Sequence, residues 1–301
     1  MHAFQWSGNL RIPQLRLRTA RLEPLLAFYE HALGLEILTK SGSEAALAAP
    51  GQNEPLVILS EDAGAVRRPT GSTGLFHLAL RLPSRVGLAN ALRRLLRYQD
   101  ALVGAEHHGV SEALYLRDPD GNGVELYADL PRSQWPWHEG QIAMTSASLD
   151  LANLLAATDA PSARTASPQG IELGHLHLHV AELAEAERFF HKFLGLAVTQ
   201  RDFPGALFFA AGGYHHHIAA NTWAGGARTP PAGSTGLISY RLETSRQESV
   251  EVLRQRALAF GYETGAAGPG FLEVRDPNGA WLEVAAASVV PIEPEPELFT
   301  A

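Results

Sequence analysis

Thirteen histidines are spread along 301 residues, and seven of them fall between His175 and His217. Imidazole nitrogens ligate divalent metals and pass protons near neutral pH. His175, His177 and His179 alternate along one stretch, and His215, His216 and His217 are consecutive. The chain has no cysteine, which removes disulfides, thiolate nucleophiles and sulfur-ligated zinc. A metal must therefore rest on His, Asp, Glu, Gln or backbone oxygen, a donor set that suits Fe(II), Mn(II) or Zn(II).

Repetition gives a second signal. Gly71-Ser72-Thr73-Gly74-Leu75-Phe76-His77 returns as Gly233-Ser234-Thr235-Gly236-Leu237-Ile238-Ser239, with histidine in one copy and serine in the other. Arg117-Asp118-Pro119-Asp120-Gly121-Asn122-Gly123-Val124-Glu125 returns as Arg275-Asp276-Pro277-Asn278-Gly279-Ala280-Trp281-Leu282-Glu283. Leu26 to Leu35 is echoed by Glu187 to Leu196, both ending in Leu-Gly-Leu. The copies stand about 160 residues apart, so the chain is a duplicated domain that kept certain polar residues in only one copy.

Composition bounds the rest. The length suffices for two domains that each bury a core, and 46% hydrophobic with 19% charged residues describes a soluble globular protein. A net charge of −8 argues against a nucleic-acid partner, which would need a basic face to displace counterions. No apolar run reaches the roughly 18 residues of a membrane span, and the N-terminus lacks a basic-then-apolar signal pattern. A cytoplasmic protein without membrane or nucleic-acid partners is expected, and homo-oligomerisation stays open.

Each half repeats a strand, a helix and three further strands. Leu15 to Arg18 alternates as a strand, Leu22 to Leu33 has helical spacing, and Ala46 to Ala48 and Leu56 to Leu59 supply later strands. The second unit runs from a strand at Phe76 to Leu82 through a helix near Val86 to Tyr98. It ends in strands at Ala113 to Leu116 and Val124 to Tyr127, with the Gly- and Asn-bearing turn Asp118 to Gly123 between them. The third unit opens at Leu176 and the fourth at Leu237. Residues 10–129 and 171–287 form the two halves. A connector at 130–170 carries one expected helix, Ala147 to Ala157, and 288–301 is a Pro/Glu tail.

Four such modules, a helix ending in Phe-Tyr-x-x-x-Leu-Gly, and a closing strand preceded by Asp-Pro-x-Gly and carrying Glu resemble the vicinal oxygen chelate superfamily. That superfamily includes glyoxalase I, extradiol ring-cleaving dioxygenases and metal-free antibiotic-binding proteins. The tract Tyr214 to Trp223, together with His108 to Tyr115, is most similar to two-domain catechol 2,3-dioxygenases. The resemblance implies an α+β fold of four βαβββ modules in two vicinal-oxygen-chelate-type domains.

The resemblance also implies where ligands sit, near the start of a module's first strand and on its last. The first-strand equivalents are Gln14, His77, His175 and Ser239. The last-strand equivalents are Ile58, Glu125, the stretch His215 to Ala219, and Glu283. Pairing of modules within each half would give two incomplete sets. Pairing of module two with three, and of one with four, would bring His77, Glu125 and His175 together as a two-histidine, one-carboxylate triad for Fe(II), with Mn(II) as the alternative. Both pairings occur in the superfamily, and the crossed one is preferred because it completes a site.

The implied chemistry is oxygen-dependent ring opening of a catechol-type substrate. His216 lies in the His-His-x-Ile-Ala context of the family's acid–base histidine. Strand parity puts His215 and His217 on one face and His216 on the other unless a bulge intervenes, so His217 stays as the alternative. Tyr115, ten residues before Glu125, matches the family's active-site tyrosine, and His108 is carried over as a third pocket residue with His107 as its alternative. His177 and His179 share a face with His175 and read first as packing residues, with His177 a candidate to line the pocket and His179 expected at its floor or at the surface. A glyoxalase-like isomerase would want four protein ligands, including two carboxylates. A metal-free binding protein would have no use for the retained His77, Glu125 and His175.

Overall fold

The computed structural model describes residues 6, 10–96, 102–157, 170–226 and 228–287. The tail from Pro291, the end of the expected helix at Tyr98 and part of the connector lie outside them. The first module consists of β1 (Leu15–Thr19), α1 (Leu22–His31), β2 (Glu36–Ser41), β3 (Glu44–Ala48) and β4 (Val57–Glu61). The second has β5 (Gly74–Arg81), α2 (Arg85–Leu95), β6 (Leu102–His107), β7 (Ser111–Arg117) and β8 (Gly123–Asp129). Short strands β9 (Trp137–His138), β10 (Gln141–Ile142) and β11 (Ala147–Ser148) and helix α3 (Leu151–Leu155) connect the halves. The third module has β12 (Glu172–His179), α4 (Leu183–Ala186) running into a π-helical stretch Glu187–Phe193, then β13 (Ala197–Gln200), β14 (Ala206–Ala210) and β15 (Ile218–Asn221). The fourth has β16 (Gly236–Thr244), α5 (Gln247–Phe260), β17 (Thr264–Gly268), β18 (Phe271–Arg275) and β19 (Trp281–Ala286).

The strands build two large sheets, and each sheet takes modules from both halves. One has the order β11-β6-β7-β8-β5-β12-β15-β14-β13 and the other β17-β18-β19-β16-β1-β4-β3-β2. Antiparallel β5 and β12 join module two to module three, and antiparallel β1 and β16 join module one to module four. This is the crossed pairing preferred from the sequence.

Within each half the modules meet through their helices instead. Arg94 of α2 is buried and donates from Nε to the Ala32 carbonyl at 2.9 Å and from Nη2 to the Leu33 carbonyl at 2.7 Å, at the end of α1. Its repeat equivalent, Arg256 of α5, donates to the Phe193 carbonyl at 2.8 Å and to the Lys192 carbonyl, at the end of the module-three helix. A guanidinium at a helix C-terminus satisfies orphan carbonyls and meets the negative end of the dipole. The same device thus docks the helices of both halves.

The central strands of the first sheet are buried on both faces. Leu78, Leu80, Leu176 and Leu178 pack into the main core beneath the helices, and His77 and His175 take the other face. Tyr127 reaches across to β12, where Gly174 leaves room for its hydroxyl; a Cβ there would collide with it.

One expectation is corrected and one is completed. The helix expected at Ala147 to Ala157 is shorter, because Ala147 and Ser148 pair with His107 and Glu106 of β6 and Asp150 then caps the chain's turn into α3 through the Asn153 N–H at 3.0 Å. Strand β2 completes the three strands expected after α1, and the sequence did not locate it because almost all its residues are exposed and no apolar alternation marks it. Among the described residues, no helix is long and apolar enough to cross a membrane.

Candidate metal centre

One row across four strands sets the site. The strand register places Tyr115 of β7 beside Glu125 of β8, Glu125 beside Ala79 of β5, and Ala79 beside His175 of β12. His77 precedes Ala79 by two residues and therefore shares its face. The methyl of Ala79 is small enough for Glu125 and His175 to close over it from both sides. Gly123 lies beside His77, where a Cβ would run into the Phe76 carbonyl oxygen, so glycine lets β5 and β8 approach at this level.

The outcome is a triangle of donor atoms. Glu125 Oε2 lies 3.0 Å from His77 Nε2 and 3.1 Å from His175 Nε2, and the two nitrogens are 3.2 Å apart. All three residues are at most 5% exposed. Two neutral imidazoles donating to one carboxylate oxygen would bring two N–H groups face to face, an unfavourable arrangement that a cation between the three atoms removes. With ligand bonds of about 2.1 Å, adjacent octahedral donors stand ~3.0 Å apart and tetrahedral ones ~3.4 Å. The observed sides fit three adjacent corners of an octahedron, the facial arrangement that leaves the opposite face open. It is the one cluster of three or more such donors among the described residues.

Electrostatics prepare the same donors. Burial alone would raise the Glu125 pKa, but the charges and hydrogen bonds of His175 and His77 outweigh it and hold the carboxyl well below its usual range. Burial pushes His175 down to about 4 against the opposing pull of Glu125. Ionised carboxylate and neutral imidazole are the ligating forms.

The triangle forms one wall of a cleft of about 430 Å³. Tyr115 and His108 stand on the neighbouring wall, with His108 Nε2 2.7 Å from the Tyr115 hydroxyl and His108 Nδ1 2.8 Å from the Thr145 carbonyl. A carbonyl only accepts, so a neutral His108 carries its proton on Nδ1 and accepts the Tyr115 proton on Nε2. Burial, then the negative charges of Glu125 and Glu106, raise the Tyr115 pKa well above 10 and keep it a phenol. His107 is turned to the Gly109 N–H at 3.1 Å and does not line the cleft.

His216 lines the cleft with its ring 4.2 Å from that of His175, while His217 faces a different cavity and accepts from the Ala211 N–H at 3.4 Å. Strand parity does not govern this triplet, because β15 begins only at Ile218. Burial, and then His175, depress the His216 pKa well below the usual imidazole value.

Further residues complete the cleft. His177 is directly opposite His77 in the register, lines the cleft, and has a buried Nε2 without a hydrogen-bond partner. Of its two readings, packing and pocket lining, the second describes its position. Phe208, Trp223 and Phe203 complete an aromatic wall around it. His179 binds Asn221 Oδ1 at 2.7 Å and does not line the cleft. In the other sheet, the counterparts of the triad are dispersed. Ser239 stands for His77, Gln14 donates to the Pro55 carbonyl at 3.4 Å, and Glu283 is taken by Arg241 at 2.7 Å.

A sequence model of the Glyoxalase/Bleomycin resistance protein/Dioxygenase superfamily matches residues 11–126 and 172–284. The chain is 41% identical over 280 residues to a catechol-2,3-dioxygenase of Bacillus subtilis (strain 168), covering 91% of this chain and 96% of that protein. It is 28% identical over 123 residues to biphenyl-2,3-diol 1,2-dioxygenase 3 of Rhodococcus globerulus, covering 40% of this chain and 63% of that one. Glyoxalase I from Zea mays is similar in structure, with a TM-score of 0.57 at 15% identity over 92% of each chain. Both halves match one family, and nearly the whole length matches a relative within it. The chain belongs to the glyoxalase/bleomycin resistance protein/dioxygenase superfamily.

Proposed function

We propose that the protein is a metal-dependent extradiol dioxygenase that opens a catechol-type ring with dioxygen. The observation that carries this reading is the buried triangle of His77, Glu125 and His175, whose sides suit facial coordination and whose open side gives onto the cleft. The 41% identity to a catechol-2,3-dioxygenase supports the reaction class. His77, Glu125 and His175 are the metal ligands. Fe(II) is the metal we favour, with Mn(II) the alternative, because two histidines and one carboxylate on one face, with the other positions open, are the donor set of non-haem Fe(II) oxygenases. Such an ion, when bound, would bring both reactants together and lower the pKa of the catechol hydroxyls.

The chain's own residues do the rest. His216, buried and neutral, takes a proton from a catechol hydroxyl at the cleft wall and returns one later in the reaction. Tyr115 can swing its proton from His108 Nε2 to a substrate oxygen where negative charge builds, and His108 holds the phenol in place. Phe208, Trp223, Val110 and Met144 offer the apolar surface that a planar ring needs and keep water away from it.

An oxygen electrode tests the proposal on Fe(II)-loaded protein with a small panel of catechols. One oxygen consumed per catechol, with a yellow ring-fission product, is expected. Conversion of a hemithioacetal with no oxygen uptake would replace this reading with a glyoxalase-like isomerisation.

A further inference from the structure

His216 is joined to residues outside the cleft. Its Nδ1 lies 2.8 Å from His215 Nδ1, and His215 Nε2 lies 2.9 Å from Asp129 Oδ1. Asp129 is held on its other oxygen, with Oδ2 accepting from Arg81 Nη1 at 3.3 Å and from the Tyr214 hydroxyl at 3.0 Å. Tyr214 in turn lies 2.7 Å from the Tyr127 hydroxyl. The Asp129 carboxylate borders a second cavity, lined also by Arg81, Tyr214 and His217, and the chain of contacts runs from there to the cleft.

We propose that Asp129 is a positioning residue that fixes the tautomers of His215 and His216 and so presents an unprotonated His216 Nε2 to the substrate. This rests on the reading in which His216 accepts the substrate proton. An ionised carboxylate only accepts, so the proton of a neutral His215 must be on Nε2. His215 Nδ1 is then an acceptor, and the short contact between the two Nδ1 atoms requires the His216 proton to be on Nδ1. That leaves His216 Nε2 as a bare lone pair, and no described residue hydrogen-bonds to it. Burial alone would raise the Asp129 pKa, but His215, Arg81 and Tyr214 outweigh it, which keeps the carboxylate in the accepting form.

Asp129→Asn reverses the chain without changing its shape. Arg81 can only donate, and with Tyr214 it holds whatever oxygen stands at the Oδ2 position. The carboxamide oxygen therefore settles there and its NH₂ faces His215 Nε2. His215 must then carry its proton on Nδ1, donate to His216 Nδ1, and leave the His216 proton on Nε2, where it blocks the base. Removing the right tautomer from an acid–base histidine costs on the order of 10²–10⁴ in rate.

The test combines two readouts on the full chain. The first is ¹⁵N NMR of histidine-labelled, Zn(II)-loaded protein, with His215 and His216 assigned by single substitution. The second is steady-state turnover of the Fe(II)-loaded enzyme. In the wild type the His216 proton is expected on Nδ1. In Asp129→Asn it is expected on Nε2, with kcat at least 10²-fold lower, metal content unchanged and KM shifted less than threefold. In Asp129→Asn/Arg81→Met the amide is free to turn, and part of the lost kcat is expected back. Identical tautomers in wild type and Asp129→Asn, or an unchanged kcat with inverted tautomers, would overturn the proposal. Inverted tautomers with no catechol turnover in either protein would support the tautomer chain and remove the dioxygenase reading.

Discussion

Arg241 stands where Ala79 stands in the other sheet. Each lies beside the glutamate of its module's last strand, Ala79 beside Glu125 and Arg241 beside Glu283. In one sheet the methyl leaves Glu125 free to meet two histidines; in the other the Arg241 guanidinium holds Glu283 at 2.7 and 3.0 Å. One copy of a duplicated site is thus filled by an ion pair drawn from the protein's own side chains, while the other keeps a His-Glu-His donor set of a kind that could hold a cation.

Ala79→Arg should therefore empty the site. A guanidinium at that position would claim Glu125 as Arg241 claims Glu283, and Fe(II) binding is expected to fall more than tenfold with the circular dichroism retained. Arg241→Ala should leave metal binding as it is, because Ser239 and Gln14 supply no second and third ligand. Equilibrium dialysis of both variants measures this, and full occupancy of folded Ala79→Arg would refute it.

His216 and His217 are neighbours with different fates. His216→Ala is expected to keep the metal and lose 10²–10⁴-fold in kcat, the usual contribution of a general acid–base group. His217→Gln should turn over within about twofold of the wild type, because its side chain faces the other cavity. Normal turnover of His216→Ala with a crippled His217 variant would reverse the assignment.

The sequence carried much of this, and the exceptions have identifiable causes. The repeats fixed four modules, and the histidines retained in modules two and three identified which pair could complete a triad. The His215–His217 triplet defeated parity because it precedes its strand, and β12 is irregular after His177 where it meets β5. Neither break has a residue signature. Asp129 escaped notice because its role depends on a strand pairing that puts it 2.9 Å from a histidine 86 positions along the chain. Arg241 escaped because an arginine on a strand looks like a solvated charge until its register beside Glu283 is known.

Acid should destabilise the metal-free protein early. Burial depresses His177 and His216 well below 6.5, His175 to about 4 and His217 to about 3. The unfolded chain binds protons at these sites near pH 6.5, and the folded chain does not. Their contribution is therefore present above about pH 6.5 and is lost as pH falls towards 4, at up to about 1.4 kcal/mol per pH unit for each group. Urea midpoints between pH 7.5 and 4.5 should fall steadily, and His217→Gln, which removes one titrating site outside the cleft, should give a shallower slope. A flat profile down to pH 5 would show that these histidines are not held neutral.

The most direct measurement is the metal content of wild type, Glu125→Gln and Glu283→Gln after loading with Fe(II) and desalting. One ion per chain is expected for the wild type and for Glu283→Gln, and close to none for Glu125→Gln, because a single set of ligands converges between modules two and three. Two tightly held ions per chain, or equal loss in the two variants, would contradict a single centre built across the halves.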